Sequence, residues 1–204
     1  MARLLILFAH PALEKSRVQR RLIREVPDLA DITFHDLYEA YPQFAIDVQH
    51  EQELLRNHDI LILQHPFYWY STPPIMKQWI DLVLEHGWAY GSQGHALQGK
   101  YWLNLISAGG STMTYRHEGY NRATVRELLL PLEHTARLCH MTFLPPYVVF
   151  GTHRLDTPDI EQAAAHYRQL LFLLQAEQLD LAAATEAPTL NVILERALQR
   201  EVPT

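Results

Sequence analysis

Leu4-Leu5-Ile6-Leu7-Phe8-Ala9 is an unbroken apolar run, and it ends at His10-Pro11-Ala12-Leu13-Glu14-Lys15-Ser16-Arg17. Six apolar residues without alternation mark a strand buried on both faces, the signature of a parallel sheet covered by helices. The same grammar recurs downstream. Asp31–Asp36 alternates polar and apolar residues, as a strand nearer the sheet edge does. Ile60–Leu63 and Tyr101–Ile106 are further buried runs, and Tyr147–Phe150 is a last one. Between them lie helical patterns over 16–26, 47–57, 73–86, 121–138 and 157–178, the last opening at Thr157-Pro158-Asp159. Strand and helix alternate throughout. The expected fold is therefore α/β, a flavodoxin-like five-stranded parallel sheet of order 2-1-3-4-5 with helices on both faces.

Composition sets the outer limits. A chain of 204 residues fits one domain. Its single cysteine, Cys139, rules out a disulfide framework and a four-cysteine zinc site. The formal charge of −6 argues against nucleic acid as a partner. There is no apolar run long enough to cross a bilayer, and a cytoplasmic location is expected. Of the 17 basic residues, 14 are arginine, and there are 12 histidines. Both residue types favour planar, hydrogen-bonded contacts over solvated point charges. Residues 1–178 read as the folded domain. Residues 179–204 read as a linker followed by a short amphipathic helix with Leu190, Ile193, Leu194 and Leu198 on one face. That helix either packs on its own domain or a second copy, or docks on another protein.

In the expected strand order the loops after strands 1, 3 and 4 meet at one end of the sheet. In the first, Ser16 stands where a helix N-cap belongs. It is either a plain cap or, with the free first-turn N–H groups, an anion site suited to phosphate. Neither a Gly-x-Gly-x-x-Gly fingerprint nor a Walker loop is present. In the second, Phe67-Tyr68-Trp69-Tyr70 lies between prolines. Four consecutive aromatics cannot all face a core, so they line a pocket for a flat heteroaromatic ligand, a subunit interface, or both. The third, Ser107-Ala108-Gly109-Gly110, lets backbone approach a ligand closely. Together these loops describe a flavin mononucleotide site. No adenine-binding segment is evident, which favours FMN, with FAD as the alternative. Cys139 reads as a buried small residue, and His134 and His140 lack the carboxylate pattern of a metal site.

These residues carry a resemblance. Ala9-His10-Pro11 with Ser16, His35–Tyr38 with Tyr41-Pro42 and Phe44, and Gln64–Ser71 are part of it. So are Lys77–Asp81, His86–Gly91, Leu97–Lys100 and Leu144-Pro145-Pro146. In this order they resemble the flavodoxin-like NAD(P)H:quinone reductase family that includes DT-diaphorase. They most resemble the ancillary flavoproteins of glutathione-gated potassium-efflux systems. The resemblance covers residues 3–176. It implies a homodimeric flavoenzyme with active sites at the dimer interface and two-electron, ping-pong hydride transfer from NAD(P)H to a quinone. It also implies docking on a membrane potassium-efflux transporter. Two further readings are a regulatory flavin-binding subunit with little reductase activity and a flavodoxin-like one-electron carrier.

On this resemblance His10, Ser16, Arg17 and Val18 hold the flavin phosphate side. Pro66, Phe67, Tyr68, Trp69 and Tyr70 wrap the ring, and Ser107, Ala108, Gly109 and Gly110 line its pyrimidine edge. Tyr115 falls on the family tyrosine beside the flavin carbonyl and, with the N–H groups of Gly109 and Gly110, stabilises the reduced ring. Trp69 and Tyr70, with Trp88 and Tyr90 from the partner subunit, form the substrate walls. The broader family often carries a histidine six residues after that tyrosine. Asn121 stands there, and an amide holds a hydrogen bond but does not take up a proton at neutral pH. Gln19 replaces an asparagine common among relatives.

Overall fold

The structure, a computed structural model, describes residues 1–26 and 31–200. Six parallel strands form one sheet: β1 (Leu4–Phe8), β2 (Ile32–Asp36), β3 (Ile60–Pro66), β4 (Tyr101–Ser107), β5 (Thr142–Phe143) and β6 (Tyr147–Val149). The order is β2-β1-β3-β4-β5, with β6 also paired to β4. The helices are α1 (Arg17–Leu22), α2 (Leu37–Ala40), α3 (Val48–Asn57), α4 (Pro74–Val83), α5 (Val125–Leu128), α6 (Leu130–Leu138), α7 (Thr157–Gln175), α8 (Leu181–Ala184) and α9 (Leu190–Arg200). Among the described residues no helix is long and apolar enough to cross a membrane.

The β1 run divides by period two between two cores. Leu5 and Leu7 join Leu61, Leu63 and Trp102 under α4 and its fully buried Trp79. Leu4 and Ile6 join Ile60, Ile62, Leu103 and Leu105 under α1 and α7, around Tyr167. Every β1 and β3 residue is buried, whereas β2, at the edge, is not. This is the burial contrast that continuous and alternating patterns dictate.

Several expectations need correction; the helix expected over 73–86, for one, ends at Val83. The last strand is split. Tyr101 and Trp102 face Thr142 and Phe143, while Leu105–Ser107 face Tyr147–Val149. Two residues of β4 therefore oppose three, Leu144-Pro145-Pro146, and the prolines have no N–H to offer the ladder. The helix expected from residue 121 starts at Val125, because Arg122 has φ +50 and Thr124 forms a capping box with Glu127. It breaks again at Leu129, just ahead of Pro131. The 157–178 helix ends at Gln175, where Glu177 turns left-handed at φ +57. The Gln178 N–H then reaches Leu173 O at 2.9 Å and the Glu177 N–H reaches Leu174 O at 3.2 Å, a Schellman ending.

The segment read as a linker contains α8, and α9 packs on the same molecule. Leu190 and Leu194 are buried in the α1–α7 core. Asn191 pairs with the outer edge of β6 in both directions. The Val148 N–H donates to its Oδ1 at 2.9 Å, and its Nδ2 donates to Val148 O at 3.0 Å. The Leu190 N–H adds a bond to Pro146 O, and the Arg126 guanidinium donates to Thr185 O and Ala187 O. The side-chain amide thus stands in for a neighbouring strand and closes an open sheet edge.

Candidate functional site

All parallel strands end on one side, so the loops after β1, β3, β4 and β6 converge there. They enclose a cleft of about 450 Å³ lined by His10, Lys15, Ser16, Arg17 and Val18, then Pro66–Trp69, then Ser107, Gly109, Thr152 and His153. That volume lies in the ~300–1,000 Å³ range of small-molecule pockets.

One end of the cleft is polar. Ser16 caps α1, its Oγ accepting the Gln19 N–H at 3.1 Å. In the first turn the N–H groups of Arg17 and Val18 have no carbonyl one turn earlier in the helix. His10 is buried, and its Nδ1 accepts the Ala12 N–H at 3.2 Å, so in the neutral ring the proton sits on Nε2. Burial pushes the His10 pKa below its ordinary value, partly offset by Glu14. The ring meets Tyr68 edge-on at 5.9 Å.

Behind the cleft a buried chain of hydrogen bonds fixes the three loops relative to one another. The Tyr167 hydroxyl donates to Gln64 Oε1 at 2.8 Å, and Gln64 Nε2 donates to Gln19 Oε1 at 2.8 Å. Gln19 Nε2 then donates to Ser107 Oγ at 3.0 Å. Because Ser107 accepts here, its own hydroxyl proton is left to donate elsewhere. Gln19 thus joins α1 to β3 and β4. His65 is fully buried one strand position away. Asn104 Nδ2 donates to its Nε2 at 3.2 Å and its Nδ1 faces Pro66 O at 3.0 Å, which selects the Nδ1–H tautomer. Burial lowers its pKa to about 4.

The aromatic loop is a tight turn. Tyr68 and Ser71 form an antiparallel bridge closed by the Ser71 N–H on Tyr68 O at 3.0 Å. Trp69 and Tyr70 occupy its two centre positions at φ +51 and +62. Two successive left-handed residues define a primed turn, normally the province of Asn and Gly. Here an indole and a phenol hold it, and Trp69 is 92% exposed at the tip. The Tyr70 hydroxyl donates to Asn121 Oδ1 at 3.2 Å.

Tyr115 lies behind the wall, half-buried between the rings of Phe67 (6.1 Å) and Phe150 (5.9 Å). Burial, with Tyr70 adding, raises its pKa, so at neutral pH it is a phenol and a donor. Ala108 is buried and both its backbone groups are committed, the N–H to Val149 O and the carbonyl to the Thr152 N–H. Gly110 O accepts the Gly151 N–H. Tyr70, Ala108, Gly110, Tyr115 and Asn121 stand outside the cleft lining, and Trp88 and Tyr90 do not line the cleft of their own chain either. Arg56 stacks on the Trp88 ring at 5.3 Å, and His86 meets Tyr90 at 5.4 Å.

Lys15, Thr152 and His153 also line the cleft, and no motif marks them in the sequence. The smallness of Gly109 concerns His153 alone among these. A Cβ there would lie 2.7 Å from His153 Nε2, so the glycine makes room for an imidazole of this chain. The available signal was topological, since Gly151-Thr152-His153 follows the last strand and must emerge beside the other three loops. Among the described residues no group of His, Cys, Asp and Glu is placed to hold a metal ion.

Comparison with known proteins agrees with this arrangement. Residues 2–171 match the profile of a family described as having a flavodoxin-like fold. A Yersinia pseudotuberculosis protein, the glutathione-regulated potassium-efflux system ancillary protein KefG, is 43% identical over 169 residues, which are 83% of this chain and 93% of that protein. The general stress protein 14 of Treponema denticola, solved in complex with FMN, is 40% identical with a TM-score of 0.80. That match covers 85% of this chain and 99% of the other. An NADPH-quinone reductase from P. pentosaceus is 30% identical with a TM-score of 0.74, covering 82% and 96%.

Proposed function

The chain belongs to the flavodoxin-like fold family, and on that premise we propose that it is an FMN-dependent NAD(P)H:quinone oxidoreductase acting as the cytoplasmic ancillary subunit of a glutathione-regulated potassium-efflux transporter. The observation that carries the reading is the single cleft in which a cationic, hydroxyl-bearing end, an aromatic wall and a glycine edge meet. These parts are of the kinds that a flavin mononucleotide's phosphate, ring and pyrimidine edge require. The likeness to a KefG protein and to an NADPH-quinone reductase supports the partner and the reaction.

When bound, the flavin supplies hydride acceptance and donation; the chain supplies position and electrostatics. The Arg17 guanidinium, the first-turn N–H groups of Arg17 and Val18, and His10 through Nε2–H hold the phosphate side. Pro66, Phe67, Tyr68 and Trp69 exclude water from one ring face. The Ser107 hydroxyl, steered by Gln19, and the Gly109 edge would meet the pyrimidine side, and the neutral Tyr115 phenol behind the wall would be a further donor. Fixed donors at a site of developing negative charge favour reduction without reorganisation. Trp69, in the cleft wall, is 92% exposed, and Tyr120 (90%) and Met113 are exposed on the loop that Asn121 ties to Tyr70. Such a patch suits a second copy of the chain, whose Trp88 and Tyr90 complete the substrate walls.

The test is the cofactor released by denaturation and the turnover of the loaded dimer. FMN of the correct mass, with parallel double-reciprocal plots for NADH or NADPH against a simple quinone, is the expected result. Protein that neither retains nor rebinds FMN would overturn the reading. Asn121, standing where the broader family often has histidine, favours one second reading, a flavin-binding regulatory subunit with little turnover. FMN binding without quinone reduction would select it.

A further inference from the structure

A second groove, of about 240 Å³, runs between α1 and α7 and shares Ser16 and Arg17 with the cleft. Arg17, Arg20, Arg21 and Arg24 line it, spaced i, i+3, i+4 and i+7, so a single helical face and its continuation present four guanidinium groups. Arg21 is consumed internally, by Glu161 at 2.9 Å and by Glu25, which also lies near Arg168. The other three are exposed. Arg17 gives one N–H to Leu155 O and Arg20 one to Glu14 O. A guanidinium carries five N–H donors, so each keeps several for an external acceptor. In a chain of charge −6 this concentration of cations is a local reversal of sign.

We propose that this groove is a docking site for an acidic peptide segment of a protein partner. Arg17 and Arg24 are about 10–12 Å apart along the axis, one cation per turn. A helical or extended segment with carboxylates at i, i+3 or i+4 and i+7 matches that spacing, whereas one compact phosphate meets at most two of the groups. Ile160 adds an apolar contact to the groove. An anionic bilayer is disfavoured because the arginines border a groove interrupted by Glu161, on a molecule of net negative charge. Arg17 is shared with the flavin cleft, so with FMN bound Arg20 and Arg24, which line only this groove, carry the docking; the proposal gives the partner a chemical requirement.

The probe is a blocked, helix-forming ten-residue peptide bearing glutamate at i, i+4 and i+7, titrated by fluorescence anisotropy into the full-length chain with and without FMN. The expected results are binding that weakens several-fold between 50 and 300 mM salt, as ~10 Å screening dictates, and no binding of the glutamine version. The charge reversal R20E/R24E, at residues outside the flavin cleft, weakens binding at least tenfold with flavin content and melting temperature unchanged. Should that variant fail to fold, R20Q/R24Q carries the same expectation. Equal peptide affinity in a folded variant overturns the proposal. So does arginine-dependent binding of inorganic pyrophosphate or phosphatidylglycerol vesicles by a chain that ignores the peptide. Loss of FMN binding alone leaves the peptide result intact, so failure of the flavin reading is separately visible.

Discussion

The imidazole of His153 rests against the bare Cα of Gly109, close enough that a methyl group would lie 2.7 Å from its Nε2. A loop after the last strand and a loop after β4 thus share one small volume at the mouth of the cleft. Gly109→Ala is expected to push His153 out and to weaken FMN binding about tenfold, roughly 1.4 kcal/mol. Restoration by the double variant G109A/H153A, measured by quenching of flavin fluorescence, checks that the effect passes through the histidine.

Gln19 is the middle of the buried chain from Tyr167 to Ser107. Gln19→Leu leaves the Gln64 amide without its acceptor and Ser107 without its donor. A stability loss of about 2–3 kcal/mol in urea unfolding is expected, with weaker flavin binding as Ser107 loses its orientation. An unchanged unfolding midpoint would show that the chain of bonds is dispensable.

How much of this could be read from sequence follows from what carries each feature. The β1 run announced its own burial, and the alternation in β2 announced an edge. The split of the last strand was hidden, because a two-residue strand has no period and Leu144-Pro145-Pro146 reads simply as a turn. In the site, the loops flagged by aromatic, glycine and N-cap composition do line the cleft, whereas Thr152 and His153 have no compositional mark. Gln19 and Gln64 are 45 residues apart in sequence, so their bond depends on register that local reading does not supply.

His65 sets a pH dependence. Its pKa falls from the usual 6.5 to about 4 on folding, so the unfolded chain binds the proton more readily. Its contribution is complete above pH 6.5 and is lost as the pH falls toward 4, about 3 kcal/mol over that window. Urea midpoints between pH 7 and 4.5 should fall more steeply for the natural chain than for His65→Gln.

Trp69 holds a left-handed position that costs an L-residue about 1–2 kcal/mol, yet it is almost fully exposed. Trp69→Asn is expected to raise stability by about 0.5–1 kcal/mol while raising the KM for quinone. A variant that gains no stability would mean that the turn is not strained.

Cys139 is buried and its thiol is pushed up to about 11 by desolvation. Native protein at pH 8 should resist iodoacetamide for hours, and unfolded protein should react within minutes. Rapid native labelling would place the thiol in a mobile or reactive setting.

The Asn191 clasp on β6 has a consequence for how the molecule is made. A ribosome releases β6 some forty residues before the amide that pairs with its outer edge. Until α9 emerges, the nascent chain displays an unpaired strand and the leucine-lined surface that Leu190 and Leu194 later cover. A chain cut before residue 190 would keep that strand edge open to pairing with another molecule.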